Sequence, residues 1–150
     1  MYLIVGLGNP EPDYANTRHN MGFDVINEFA KRNDISFNKK KYSSIYAQGR
    51  FNKEKIVLLK PQTYMNLSGT AVRDFKNFYK IDDDKIIVIH DDADIEIGKI
   101  KIRKTSGAGF HNGMKSVVQE LGGKDFCRVR VGIRKTIHNT RYKRLCFTKN

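Results

Sequence analysis

Residues 1–23 read MYLIVGLGNPEPDYANTRHNMGF. Tyr2 to Val5 is a short apolar run of β type, and it stops at Gly6-Leu7-Gly8-Asn9-Pro10. There the glycines permit a sharp turn and Pro10 forbids the strand from continuing. After a polar loop, Thr17-Arg18-His19-Asn20 leads into Met21-Gly22-Phe23 and a helical pattern. In an α/β sheet, ligands sit outside the carboxyl ends of the strands. This stretch brings an amide (Asn9) and an imidazole (His19) to that position, joined by a loop. A dinucleotide-binding turn is the competing reading, because strand, Gly-x-Gly and helix occur in order. It fails in detail: the third glycine would fall at Glu11, and the helix starts roughly ten residues late. For His19 taken alone, a helix cap or a packing role at the helix start is the other alternative.

Working outward, residues 22–33 carry Phe23, Ile26, Phe29 and Ala30 on one helical face. Residues 42–48 and 55–60 read as two strands, with Phe51-Asn52-Lys53-Glu54 as the turn of a hairpin. Pro61 ends the second, and Gln62-Thr63-Tyr64-Met65-Asn66 forms a polar and aromatic connection. Residues 68–80 are a second helix, with Ala71, Val72, Phe75, Phe78 and Tyr79 on one face. Asp82-Asp83-Asp84 is a turn, and 86–89 a buried strand delivering His90-Asp91-Asp92-Ala93-Asp94. A strand over 99–103, a glycine-rich loop over 106–113, a helix over 114–121 and a strand over 126–133 complete the pattern. The order β-α-β-β-α-β-β-α-β, with continuous apolar runs in several strands, predicts a single-domain α/β/α sandwich around a mixed sheet.

A chain of 150 residues is long enough to bury about two-thirds of its surface in one core. No apolar run is long enough to span a membrane, and Met1 leads straight into a strand rather than a signal peptide. Cys127 and Cys146 lack metal-site spacing, so a reduced, cytoplasmic monomer without cofactor is the expectation. The net charge of +12 is unevenly placed: residues 1–100 carry 15 Lys/Arg against 14 Asp/Glu, and residues 101–150 carry 13 against 2. A basic half beside a neutral one points to an anionic polymer as partner, the alternative being a merely soluble basic surface.

The polar candidates at strand ends are Asn9, His19, Asn66, Asp91 and Asn112. His19 is the one plausible general base among them, because imidazole titrates near neutrality. Asp91 is placed to hold its Nδ1–H and favour the protonated ring. Three asparagines can position a water, bind a carbonyl and stabilise an oxyanion without adding charge. No Gly-x-Ser-x-Gly is present, so the kit suits attack of water on an activated acyl group such as an ester. For Asp91, Asp92 and Asp94 a magnesium site and a solvated acidic turn remain open as alternatives.

Five motifs make the reading specific: Gly6-Leu7-Gly8-Asn9-Pro10, Thr17-Arg18-His19-Asn20, Lys60-Pro61-Gln62-Thr63-Tyr64-Met65-Asn66-Leu67-Ser68-Gly69, His90-Asp91-Asp92-Ala93-Asp94 and His111-Asn112-Gly113. In this order and spacing they resemble the bacterial-type peptidyl-tRNA hydrolases, over residues 1–133. The resemblance implies a metal-independent esterase that releases peptide from peptidyl-tRNA. It makes the residue matching His19 the catalytic base, supported by Asp91. Asn9 then helps distinguish a blocked peptidyl ester from a free aminoacyl one. Asn66, Asn112, Tyr14 and Tyr64 bind substrate and the tRNA 3′ end, the tyrosines offering faces for stacking. Arg103 and Arg130 match a clamp for the tRNA 5′-phosphate, and Asp92 and Asp94 are left as loop-shaping residues.

The two basic strands fit that picture. Lys99, Lys101 and Arg103 alternate with Ile100 and Ile102, and Arg128 and Arg130 alternate with Val129, Val131 and Ile133. If the strands are neighbours, five cations share one surface; a solvated sheet face is the alternative for Lys99, Lys101 and Arg128. Three departures from the family stand out. Glu11 and Phe110 replace glycines of the family. Residues 134–150 form a divergent basic tail where the family continues through another strand and a helical part, so the C-terminal part reads as truncated. A tRNA-binding protein that has lost turnover is the second functional expectation.

Overall fold

The computed structural model describes residues 1–10, 20–104, 111–123 and 125–134. Among the described residues seven strands form one mixed sheet: β1 (Tyr2–Gly6), β2 (Lys39–Lys41), β3 (Ser44–Phe51), β4 (Glu54–Pro61), β5 (Ile86–Glu96), β6 (Ile100–Lys104) and β7 (Cys127–Arg134). Their order is β2-β3-β4-β1-β5-β7-β6. The inner strands β4, β1, β5 and β7 run parallel, while β2, β3 and β6 are antiparallel to their neighbours. β2 was not foreseen: its Lys-Lys-Lys has no apolar alternation, and pairing with β3 alone makes it a strand.

Inner strands need covering on both faces, which explains their continuous apolar runs. Ile56, Val57, Leu58 and Leu59 of β4 are all buried. Three helices among the described residues supply the cover. α1 (Met21–Arg32) turns Ile26 and Ala30 onto one face, where they meet Ala47, Ile56 and Leu58. Asp24 in its first turn and Lys31 and Arg32 in its last suit the helix dipole. α2 (Ser68–Tyr79) and α3 (Asn112–Leu121) cover the other face, burying Val72, Phe75, Met114 and Val117 against Leu3, Val5, Val57, Leu59, Ile86 and Val88. Each fully buried side chain of this size contributes about 1.5–3 kcal/mol. α2 stops at Lys80, whose left-handed φ of 55° an α-helix cannot continue. The predicted three-layer α/β/α sandwich is therefore the fold.

The topology positions a cleft. From β1 the chain passes through α1, β2 and β3 to β4 on one side of β1; from β4 it crosses by α2 to β5 on the other side. β1 thus marks a switch point, and the carboxyl ends of β4, β1 and β5 open the crevice where α/β proteins bind ligands. Close backbone approach shapes it. A Cβ at Gly22 would collide with the main-chain oxygens of Leu7 and Ile89, so α1 can begin hard against β1 and β5 only with glycine there.

Candidate active site

At the end of β1, the Asn9 N–H donates to Oδ1 of buried Asn20 across 2.7 Å. That bond ties the end of β1 to the start of α1, and the neighbouring Leu7 N–H donates to Ile89 O across 2.9 Å. His19 and Tyr14, and with them Glu11, lie outside the described residues, as do Phe110 and residues 135–150. Asn20 is therefore the described residue next to the expected base in sequence. Its place, a polar residue just ahead of an apolar helical pattern, was the available signal for it.

β5 runs on to Glu96, seven residues beyond the predicted end, so His90, Asp91 and Asp92 stand on a strand rather than in an acidic turn. Asp91 is buried, and its Oδ1 lies 3.0 Å from His111 Nε2. His111 is the N-cap of α3: its Nδ1 accepts the Met114 N–H across 3.2 Å. A nitrogen that accepts carries no proton, so the ring's hydrogen is on Nε2 and is donated to Asp91. His111 was quoted in a motif but given no role; its partner sits twenty residues away on another element, which spacing does not reveal.

Beside it, buried His90 holds the Asp91 main-chain oxygen through Nδ1 at 2.7 Å, and its ring meets His111 edge-on at 4.7 Å between centroids. Burial, reinforced by the neighbouring His111, pushes the His90 pKa down to about 4, so His90 is neutral at physiological pH. Asp92 lies deeper than a solvated turn would place it. Burial opposes its ionisation, but the Asp94 N–H and the Arg130 guanidinium prevail and hold its carboxyl below the usual range. Among the described residues no group of three His, Cys, Asp or Glu is arranged to hold a metal ion.

After β4, Tyr64 is 67% exposed and Asn66 lies exposed on a short 3-10 helix, Met65–Leu67. This segment is fastened to α3. The Gly69 N–H donates to buried Ser116 Oγ across 2.8 Å, and a Cβ at Gly113 would press on the Met65 sulfur and crowd the His111 and Leu7 side chains. Asn112 opens α3 and is exposed. Asn9 and Asn66 thus follow the carboxyl ends of β1 and β4, Asn112 opens α3, and Asp91 stands within β5, tied to the start of α3 through His111.

The basic strands are neighbours, with Lys101 opposite Arg130 and Arg103 opposite Arg128. The predicted five-cation surface is smaller in fact. Arg128 is fully buried: β7 is an inner strand, position 128 pairs with core residue Val88, and the guanidinium lies 4.2 Å over the Phe126 ring. Lys99 is 3.3 Å from Glu96, and Arg130 Nε is 2.6 Å from Asp92 Oδ2. Lys101 and Arg103 are exposed and have no acidic partner among the described residues.

An α/β sandwich with amides, imidazole and carboxylate at its switch point, flanked by a basic sheet edge, is the class of molecule these features define. Comparison with known proteins is specific. The family model for peptidyl-tRNA hydrolase matches residues 3–145. Peptidyl-tRNA hydrolase of Shouchella clausii is 51% identical over 138 residues, covering 92% of this chain and 75% of that protein. The Clostridium perfringens enzyme is 53% identical over 133 residues, covering 89% and 71%. The crystal structure of peptidyl-tRNA hydrolase from Acinetobacter baumannii superposes with a TM-score of 0.86 at 38% identity, covering 95% of this chain and 73% of that one. The chain belongs to the peptidyl-tRNA hydrolase family. Among the described residues no helix is long and apolar enough to cross a membrane.

Proposed function

We propose that the chain hydrolyses the ester bond between peptide and tRNA in peptidyl-tRNA, releasing free tRNA. Membership of the family at about half identity across nine-tenths of the chain carries this reading. His19 is the general base that draws a proton from water as the water attacks the ester carbonyl. Asp91 stabilises the imidazolium that forms. A carboxylate accepts several hydrogen bonds, so the bond from His111 is compatible with a second imidazole. Asn9 reads the blocked amine of the peptide, and Asn66 and Asn112 hold the ester and the terminal nucleotide. Tyr14 and Tyr64 offer ring faces to the 3′ end, for which the exposure of Tyr64 is suited. No step needs a metal ion.

Residues 1–133 form the catalytic unit, and the tail over 134–150, with Lys or Arg at 134, 135, 141, 143, 144 and 149, adds positive charge toward the tRNA. Arg103 and Arg130 clamp the 5′-phosphate. The working form is a cytoplasmic monomer, since Lys101 and Arg103 on edge strand β6 oppose pairing with another sheet edge.

The test is release of peptide from N-blocked aminoacyl-tRNA by purified protein, with unblocked aminoacyl-tRNA alongside. Turnover of the blocked substrate is expected, and it should survive EDTA once magnesium effects on tRNA folding are controlled. Tight tRNA binding without any release would establish a tRNA-binding protein instead. Loss in EDTA that magnesium or manganese restores on a minimal ester would place metal chemistry at the acidic strand.

A further inference from the structure

Asp92 has no part in the chemistry above, yet it is the best-anchored carboxylate on the basic side of the molecule. Its Oδ1 accepts the Asp94 N–H across 2.8 Å, and its Oδ2 accepts from Arg130 Nε across 2.6 Å. Both side chains are sheltered, 11% exposed for Asp92 and 29% for Arg130. The register explains the encounter. Asp92 on β5 faces Gly132 on β7, and Arg130 faces His90 two places earlier, so the pair is diagonal on one sheet face, reaching past a position without a side chain.

The manner of contact matters more than its existence. Arginine offers five N–H donors in a rigid fork suited to two oxygens of a phosphate or carboxylate. Asp92 takes the Nε–H. Among the described residues neither Nη of Arg130 has a partner, so the end of the fork is presented and its stem is held. Glu96 stands in contrast. It meets Lys99 at 3.3 Å and Arg134 at 3.6 Å, and those two cations are 68% and 53% exposed, as ordinary surface pairs are. Asp92 also lowers the positive potential of the face it belongs to. A residue selected only for attraction to RNA would not be an aspartate there.

We propose that Asp92 is a positioning residue that sets Arg130 for a terminal phosphate, giving up general attraction to RNA in return for discrimination of the tRNA 5′ end. This rests on the clamp reading of Arg103 and Arg130. Held by Nε, the guanidinium meets a phosphate with its orientation already fixed. Without Asp92 the side chain would still be cationic and would attract any backbone phosphate, but it would not favour the end.

The experiment measures binding of uncharged tRNA carrying either a 5′-phosphate or a 5′-hydroxyl. The wild-type chain should prefer the phosphate by about tenfold, the scale of one charged hydrogen-bonded contact. Arg130→Ala should abolish that preference. Asp92→Ala should bring it to within about twofold of none while binding of 5′-hydroxyl tRNA holds or tightens, because a negative charge has gone. Asp92→Asn, whose single amide oxygen can still accept the Arg130 Nε–H but not the Asp94 N–H at the same time, should retain part of the preference and fall between the wild type and Asp92→Ala. A preference unchanged in Asp92→Ala overturns the role of Asp92 and leaves the clamp standing. Equal weakening toward both tRNAs in Asp92→Ala makes Asp92 a structural residue and also overturns it. No preference in the wild type, or one indifferent to Arg130→Ala, removes the clamp and the inference together.

Discussion

His111 donates from Nε2 to Oδ1 of Asp91 across 3.0 Å, while its Nδ1 accepts the Met114 N–H across 3.2 Å. Both ring nitrogens are thereby committed, and the imidazole is a fixed donor that couples the start of α3 to β5. A donor aimed at a buried carboxylate orients it and shares its charge, and such bonds are worth about 1.5–3 kcal/mol.

His111→Ala is accordingly expected to lower turnover by roughly tenfold to a hundredfold, the rate equivalent of that bond. Nitrogen NMR of the wild type should show the Nε2–H tautomer of His111. An Nδ1–H tautomer instead would mean that the bond to Asp91 is not maintained in solution.

His90 gives a prediction in stability rather than rate. Its pKa in the fold is about 4 against an ordinary 6.5, chiefly because it is buried. The unfolded chain therefore binds a proton that the folded chain refuses. Stability is full above pH 6.5 and falls as the pH is lowered from there toward 4, by roughly 3 kcal/mol in all for this group. Urea unfolding between pH 8 and pH 4 should show this loss, and His90→Gln should show a shallower one. Parallel pH profiles for the two proteins would contradict the assignment.

The sheet and its helices were legible because period and punctuation agreed. Residues 55–60 read as a strand of a hairpin, and Ile56 to Leu59 there are buried, and Phe23, Ile26 and Ala30 marked the inner side of α1. Asn9 and Asn66 do follow strand ends and Asn112 opens a helix, whereas Asp91, read as following a strand that ends at 89, stands within β5. Pairings across the fold were not legible. That Asp91 meets His111, Asp92 meets Arg130 and Asn9 meets Asn20 depends on register and on loop closure, which no local pattern encodes. Arg128 misled for the same reason: alternation put it with Arg130 on one face, but only the place of β7 inside the sheet decides that this position is buried.

The clamp reading makes a prediction in salt dependence. Removing one phosphate contact should reduce the slope of log affinity against log salt by roughly 0.7–0.9. Arg103→Ala and Arg130→Ala should each weaken binding of whole tRNA and flatten that slope. Hydrolysis of a short 3′-terminal fragment, which has no 5′ end to clamp, should respond far less. Equal losses on fragment and whole tRNA would move these arginines into folding or chemistry.

The most direct test of the account is the single-turnover rate of peptide release by His19→Ala, measured with affinity for uncharged tRNA. Losing a positioned general base costs about 10²–10⁴-fold, so the rate should fall by that factor while tRNA affinity stays within a few-fold. Adding Asp91→Asn to His19→Ala should then cost far less than Asp91→Asn costs alone, because the carboxylate acts through the imidazole. A rate for His19→Ala close to wild type, or a double loss equal to the product of the two single losses, would contradict a reaction driven by that pair.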